Sequence, residues 1–92
     1  MITILNKETS APLYLGDLKP GERAEIIGFM TPSAESENFL HRLFEVGFLL
    51  GSNLEVLQEA PYSRDPISIR IKEATYALRR NEANLIQVKR CE

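Results

Sequence analysis

The sequence is poor in the side chains that build metal sites and disulfides. Its 92 residues include one cysteine, Cys91, and one histidine, His41. A single cysteine cannot form a disulfide within the chain, so the fold must hold without a covalent crosslink, as is usual in a reducing compartment. One His and one Cys on different elements do not supply the several ligands that a transition metal needs. We therefore expect no cofactor and no resident metal.

His41 is the one weak candidate for a metal ligand. Glu37 and Glu45 stand four residues before and after it, a spacing that places carboxylates beside the imidazole if the segment is helical. The same pattern is typical of a solvated helix face, which is the interpretation we favour. Cys91, next to the last residue, is interpreted as an exposed thiol in a frayed terminus.

Long apolar runs and a basic excess are also absent. No window approaches the roughly 18 to 20 apolar residues of a membrane span, and the N-terminal segment lacks the basic start and cleavage sequence of a signal peptide. Eleven Lys and Arg stand against thirteen Asp and Glu, and the isoelectric point is near 5.4. This balance disfavours nucleic acid as a partner, and we expect a cytoplasmic protein.

Catalytic motifs are missing as well. His41 has no serine or second cysteine at a recognisable motif spacing, no glycine-rich loop leads from a strand into a helix, and no acidic pair stands in a motif of its own. The sequence therefore predicts that the protein is not an enzyme.

One segment has helical periodicity. Its apolar residues recur on one side, at Phe39, Leu40, Leu43 and Val46. Gly47 suits a left-handed helix C-cap, and Thr31, Ser33 or Ser36 can cap the start. A lone helix cannot bury its own apolar face, so we expect it to lie on a sheet made by the rest of the chain.

The remaining chain has the pattern of short strands joined by turns. Strands are predicted at 23–29, 53–58, 67–72, 75–80 and 85–89, with a hairpin turn at Glu73–Ala74, one 3₁₀ turn at 81–84, and Arg79–Arg80 as a solvated strand end. Residues 1–12 are interpreted as a loosely held extension with a short edge strand at Met1–Leu5. Because the connections are too short for parallel crossovers, the sequence predicts one mainly β domain, a small antiparallel barrel of about five strands with one inserted α-helix.

The order of these elements resembles the FeoA family over nearly all of residues 13–89. The resemblance rests on LGDLKPGERAEI at 15–26, RLFEVGFLLGSNLEVL at 42–57, AP at 60–61, DPISI at 65–69 and YALRRNEANLIQV at 76–88. It implies an SH3-like barrel that acts as an accessory to bacterial ferrous iron uptake by binding the cytoplasmic part of the FeoB transporter, so that contact with the membrane is only through that partner. The alternative is a metal-responsive regulatory domain, because a related domain forms the C-terminal module of DtxR-type repressors.

A partner-binding surface is expected at two apolar loops. The candidate residues are Phe48, Leu49 and Leu50 after the helix, and Pro61 and Tyr62 between two strands. The three residues after the helix either all pack into the core, or one or two of them stay exposed and form a docking surface, with Leu49 the first candidate for exposure. An exposed apolar turn or an edge strand also leaves weak self-association open.

Overall fold

A computed structural model describes residues 12–91. In this part of the chain six strands form one antiparallel sheet in the order β1-β6-β2-β3-β4-β5. The strands are β1 Leu13–Tyr14, β2 Arg23–Phe29, β3 Asn53–Glu59, β4 Ile67–Ile71, β5 Ala74–Leu78 and β6 Ile86–Arg90. A 3₁₀ turn covers Leu15–Asp17, helix α1 covers Ala34–Glu45, and the short helix α2 covers Arg80–Ala83. The predicted mainly β antiparallel fold with one long inserted helix is confirmed.

Four of the five predicted strands differ from the observed ones by one or two residues at an end, and two short elements also differ. The sheet gains the two-residue strand β1, which pairs with β6 through Leu13 and Val88 and is too short to show a period of two. The edge strand predicted at Met1–Leu5 lies outside the described residues. The predicted 3₁₀ turn at 81–84 is instead the four-residue helix α2, which begins one residue earlier.

The sheet curls around a single core with the help of two irregularities. The register shifts between Ile26 and Gly28 where β2 meets β6, and between Val56 and Gln58 where β3 meets β4. Bulges of this kind bend a strand and increase its twist. Most of the buried side chains come from α1 and from β2 to β6, and the segments outside these elements add Leu15, Leu18, Phe48 and Ala83. The alternating isoleucines of β4 point inward as predicted: Ile67, Ile69 and Ile71.

Helix α1 has a defined cap at each end. Ser33 is the N-cap, and its Oγ accepts a hydrogen bond from the Ser36 backbone N–H at 3.1 Å. At the other end Gly47 has φ +111°, and the N–H groups of Gly47 and Phe48 donate to the carbonyls of Phe44 and Leu43. This is a Schellman motif, as the glycine predicted.

One of the four predicted inward residues of α1 is misplaced. Leu40 and Leu43 are buried, and Phe39 packs against the core, but Val46 is 41% exposed. Val46 is the C-cap residue, where the backbone leaves the helical path, so the helical period no longer sets the direction of its side chain.

The β4–β5 turn also differs from its prediction. It is formed by Lys72 and Glu73, not by Glu73 and Ala74, because Ala74 already pairs with Ile71. Lys72 adopts a positive φ of 57°, as the first central residue of a two-residue hairpin turn does. Its side chain passes over Gly47, which places a cation near the C-terminal end of α1.

Candidate partner-binding surface

The chain leaves α1 through a turn held by several hydrogen bonds. We call residues 47–52 the exit turn. The Leu49 N–H donates to the Gly47 carbonyl at 2.9 Å, and the Ser52 N–H donates to the Leu49 carbonyl at 2.9 Å. The Ser52 hydroxyl donates to the Gly47 carbonyl at 3.1 Å, and the Gly51 N–H donates to the Ile26 carbonyl in β2 at 2.8 Å. The exit turn is therefore fixed both to the helix end and to the sheet.

The three apolar residues of the exit turn divide between core and surface. Phe48 is fully buried, and its ring meets that of Tyr76 edge to face, with 5.5 Å between the ring centroids. Leu49 is 47% exposed and Leu50 is 65% exposed. Phe48 therefore anchors the turn and is not available to a partner, whereas the two leucines are.

Two further exposed apolar residues are close to these leucines along the backbone. Val46 precedes the exit turn, and Ile27 follows the β2 residue to which Gly51 is bonded; each is more than 40% exposed. We call Ile27, Val46, Leu49 and Leu50 the exit-turn patch. Scattered exposed apolar residues are ordinary, but a contiguous group of them marks an interaction surface.

Pro61 and Tyr62 do not belong to this patch. Both are exposed, and they lie in the connector after β3, whereas Leu50 lies just before β3 begins. The seven residues of β3 span about 20 Å of strand. The five residues predicted as one partner-binding set are therefore one buried anchor and two exposed groups at opposite ends of β3.

His41 lies on the exposed face of α1, as do Glu37 and Glu45. Its ring centroid is 5.9 Å from that of Phe44. Among residues 12–91, no three His, Cys, Asp or Glu side chains lie close enough together to hold a metal ion. Cys91 is exposed, and its Sγ lies 3.6 Å from Asn53 Oδ1. Within the described residues, His41 therefore does not form part of a group of side chains that could hold a metal ion.

Arg80 has a role that the sequence pattern did not reveal. Its guanidinium donates to the carbonyls of Gly16 at 2.7 Å, Leu18 at 3.1 Å and Arg64 at 2.7 Å, and it pairs with Glu59 at 2.7 Å. The expectation of a solvated Arg79–Arg80 pair is wrong for Arg80, because the 3₁₀ turn and the β3–β4 connector meet around it. Only the fold shows these partners, since the Gly16 and Leu18 carbonyls are more than 60 residues away in the chain.

A carboxylate joins the first long turn to the last strand. Glu22 accepts from the Lys19 N–H at 2.7 Å and pairs with Arg90 of β6 at 2.9 Å. The hydrogen bond from Lys19, which has the larger effect, and the one from Arg90 lower the pKa of Glu22 below its ordinary value of 4.5.

No helix in residues 12–91 has the length and apolar character needed to cross a membrane.

Comparison with known proteins identifies the family. The sequence profile of the FeoA domain matches residues 13–90. No curated protein sequence gives a match.

Solved structures of FeoA proteins share the fold. The FeoA protein of Chlorobium tepidum is 34% identical, with a TM-score of 0.73 over 87% of this chain and 71% of that one. Stenotrophomonas maltophilia FeoA complexed with zinc, described as a prokaryotic SH3 domain protein, is 23% identical, with a TM-score of 0.74 over 84% of this chain and 89% of that one. These matches confirm the SH3-like fold.

A transcriptional repressor shares the fold over part of its length. A manganese-dependent repressor in complex with manganese is 22% identical, with a TM-score of 0.73 over 87% of this chain but 37% of that one. At this identity the likeness shows the fold alone. The match to the FeoA domain covers nearly the whole described chain, and we conclude that the protein belongs to the FeoA family, whose role lies in ferrous iron transport.

Proposed function

We propose that this chain is a non-enzymatic, cytoplasmic accessory protein of bacterial ferrous iron uptake, and that it binds the cytoplasmic part of the FeoB transporter through the exit-turn patch. The observation that carries the proposal is that Phe48 is buried while the next two residues, Leu49 and Leu50, are exposed. Phe48 is fully buried, while Leu49 and Leu50 are 47% and 65% exposed. The protein thus holds two leucines in solvent on a turn that its own core anchors.

The rigidity of the exit turn favours binding. Several hydrogen bonds hold the turn to the helix end and to β2, so little backbone freedom is lost when a partner covers it. Fully burying a leucine side chain contributes about 1.5 to 3 kcal/mol, and these leucines are already partly covered. Two such residues with Ile27 and Val46 beside them suit a reversible contact with an apolar groove.

The chemistry of the rest of the chain supports a binding role. Within residues 12–91, no three His, Cys, Asp or Glu side chains are grouped so that they could hold a metal ion. In this proposal ferrous iron is the cargo of the transporter, and the protein acts on the transporter itself. Contact with the membrane then occurs only through that partner.

The test is a binding measurement with the purified cytoplasmic domain of the cognate FeoB and with full-length FeoB in detergent. Leu49→Glu places a charge in the centre of the patch, and we expect binding to weaken at least tenfold, as for an apolar residue central to an interface. Thermal unfolding should be nearly unchanged, because Leu49 is already half exposed.

Tyr62→Glu is the matched control, since Tyr62 is fully exposed at the opposite end of β3. We expect this variant to bind like the wild type. Binding that survives Leu49→Glu but fails in Tyr62→Glu would move the contact to the β3–β4 connector. Absence of binding to either form of FeoB would contradict the proposal.

A further inference from the structure

Strand β5 forms an open edge of the sheet. In the strand order it has one neighbour, β4, and within residues 12–91 no backbone hydrogen bond joins Ala74–Leu78 to any other segment. Its ladder with β4 runs without a register shift. The strand has the sequence ATYAL, so it contains no charge, proline or bulge, the devices that commonly protect an edge from pairing.

The outward hydrogen-bonding groups of β5 can be assigned from the turn. In a two-residue hairpin the flanking residues, Ile71 and Ala74, form a hydrogen-bonded pair, and bonded and non-bonded pairs alternate from there. Tyr76 therefore directs its N–H and C=O toward β4, while Thr75 and Ala77 direct theirs toward the free edge. Both of these residues have exposed side chains. The edge thus offers two donors and two acceptors in register.

We propose that this edge pairs with β5 of a second copy of the chain, antiparallel and two-fold symmetric about Tyr76. In that register Thr75 of each copy faces Ala77 of the other, which makes four backbone hydrogen bonds. The pairing joins two six-stranded sheets across one interface. It uses neither the exit-turn patch nor FeoB, so it stands apart from the proposed function.

Complementary charges at the two ends of β5 favour a second copy of the chain as the partner, and they favour this register. Glu73 and Arg79 flank β5, both are exposed, and neither has an ion pair within residues 12–91. If the alternation of β5 is continued by one residue at each end, they share the face of Thr75 and Ala77. Symmetry about Tyr76 puts Glu73 of each copy opposite Arg79 of the other, giving two ion pairs. A shift by two residues in either direction loses both pairs. Opposite charges directly across a strand pair are stabilising, and like charges are destabilising.

The experiment is sedimentation equilibrium of the full chain from tens of micromolar to about 1 mM, because one short strand pair forms a small and weak interface. We expect a monomer–dimer equilibrium with a Kd of roughly 0.1 to 1 mM. Arg79→Glu turns both ion pairs into like-charge contacts and weakens association about tenfold, and Glu73→Arg does the same. The double variant Glu73→Arg/Arg79→Glu restores the pairs and returns Kd to within about threefold of the wild type.

Two further variants locate the interface. Ala77→Pro removes an outward N–H at an edge position that tolerates proline, and it should abolish association without unfolding the monomer. Leu49→Glu should leave association unchanged. A chain that stays monomeric throughout, as it would if the N-terminal residues or another partner covered the edge, overturns the proposal. Dimerisation that the β5 variants leave intact, or that Leu49→Glu removes, overturns it as well.

Discussion

At the scale of single residues, Gly16 sets how closely the 3₁₀ turn approaches α2. A Cβ at this position would lie 2.7 Å from the Arg80 carbonyl oxygen and would also collide with the Asn84 side-chain oxygen. The Gly16 carbonyl meanwhile accepts a hydrogen bond from the Arg80 guanidinium. Glycine is therefore needed at position 16 because there is no room for a Cβ, and not because the backbone has a positive φ.

We predict that Gly16→Ala lowers the free energy of unfolding by about 1 to 3 kcal/mol, the range for overpacking. Urea unfolding followed by circular dichroism measures this change. Adding Asn84→Ala should recover only part of the loss, because the Arg80 backbone carbonyl still collides with the new methyl group. Gly28→Ala is the control, since the nearest atom to its Cβ would be the flexible end of Gln87 at 3.2 Å. Equal losses in the two glycine variants would contradict the argument.

The role of Gly16 illustrates what sequence patterns miss. Gly47 was predicted correctly as the left-handed glycine that ends the helix, because the signal is local: a glycine directly after a segment with helical spacing of apolar residues. The atoms that exclude a side chain at Gly16 belong to Arg80 of α2 and to Asn84 just after it, more than 60 residues away. No local pattern contains that information.

At the scale of elements, the helix and the strands were predictable wherever one face is buried against another element. The period of 3.6 located α1, and the period of two located β4, because burial imposes those spacings. Errors occur where the period ends: Val46 at the helix terminus and the turn at Lys72–Glu73. Helix caps and turns depend on backbone conformation, which the apolar pattern does not record.

Glu22 links two elements, the turn before β2 and the end of β6, and this link depends on its charge. The hydrogen bond from Lys19 and the pairing with Arg90 lower the pKa of Glu22 in the folded protein. A carboxyl group with a lowered folded pKa stabilises the protein above its unfolded pKa, and the contribution is lost as pH falls through the folded pKa. The wild type should therefore lose this stability below about pH 4.5.

We predict that Glu22→Gln is less stable than the wild type by about 0.2 to 1 kcal/mol at neutral pH, the range for exposed ion pairs. The difference should shrink toward zero as the pH falls below the folded pKa. Urea unfolding at a series of pH values from 7 down to about 2 measures it. Glu45→Gln is the control, since Glu45 is an exposed carboxylate of α1 with no ion pair within residues 12–91, and at neutral pH it should differ from the wild type by less than Glu22→Gln does. A deficit of Glu22→Gln that stays constant with pH would show that its charge is not involved.

At the scale of the whole molecule, the sequence indicated which loops carry apolar residues but not how these loops are arranged. Leu49 was the first candidate for exposure and is exposed, as is Leu50, so the alternative in which all three residues of the turn pack into the core is wrong. That Phe48 is the buried one follows from the position of Tyr76 on β5. That Tyr62 lies at the far end of β3 follows from the strand topology. Both facts require the fold.

Arg80 connects two segments that do not pair with each other in the sheet, the 3₁₀ turn and the β3–β4 connector. Its guanidinium makes four hydrogen bonds, to the 3₁₀ turn and the residue after it, and to the end of β3 and the connector that follows. Its backbone N–H donates to Asp65 at 2.9 Å. The side chain is only 24% exposed, so its bonds are partly shielded from water and are stronger than those of a surface ion pair.

We predict that Arg80→Met lowers the free energy of unfolding by about 2 to 3 kcal/mol, because it leaves three carbonyls without their charged donor and leaves Glu59 with only the longer, 3.9 Å ion pair to Arg64. Arg80→Lys should lose about half as much, since one ammonium group cannot reproduce the fork of a guanidinium. Arg79→Met, on the exposed neighbour, should change stability by no more than about 0.5 kcal/mol. Denaturant unfolding at low protein concentration measures all three variants without interference from self-association. If Arg80→Met were as stable as Arg79→Met, the contacts around Arg80 would contribute no net stability, and the 3₁₀ turn would be held by the apolar side chains of Leu15 and Leu18 alone.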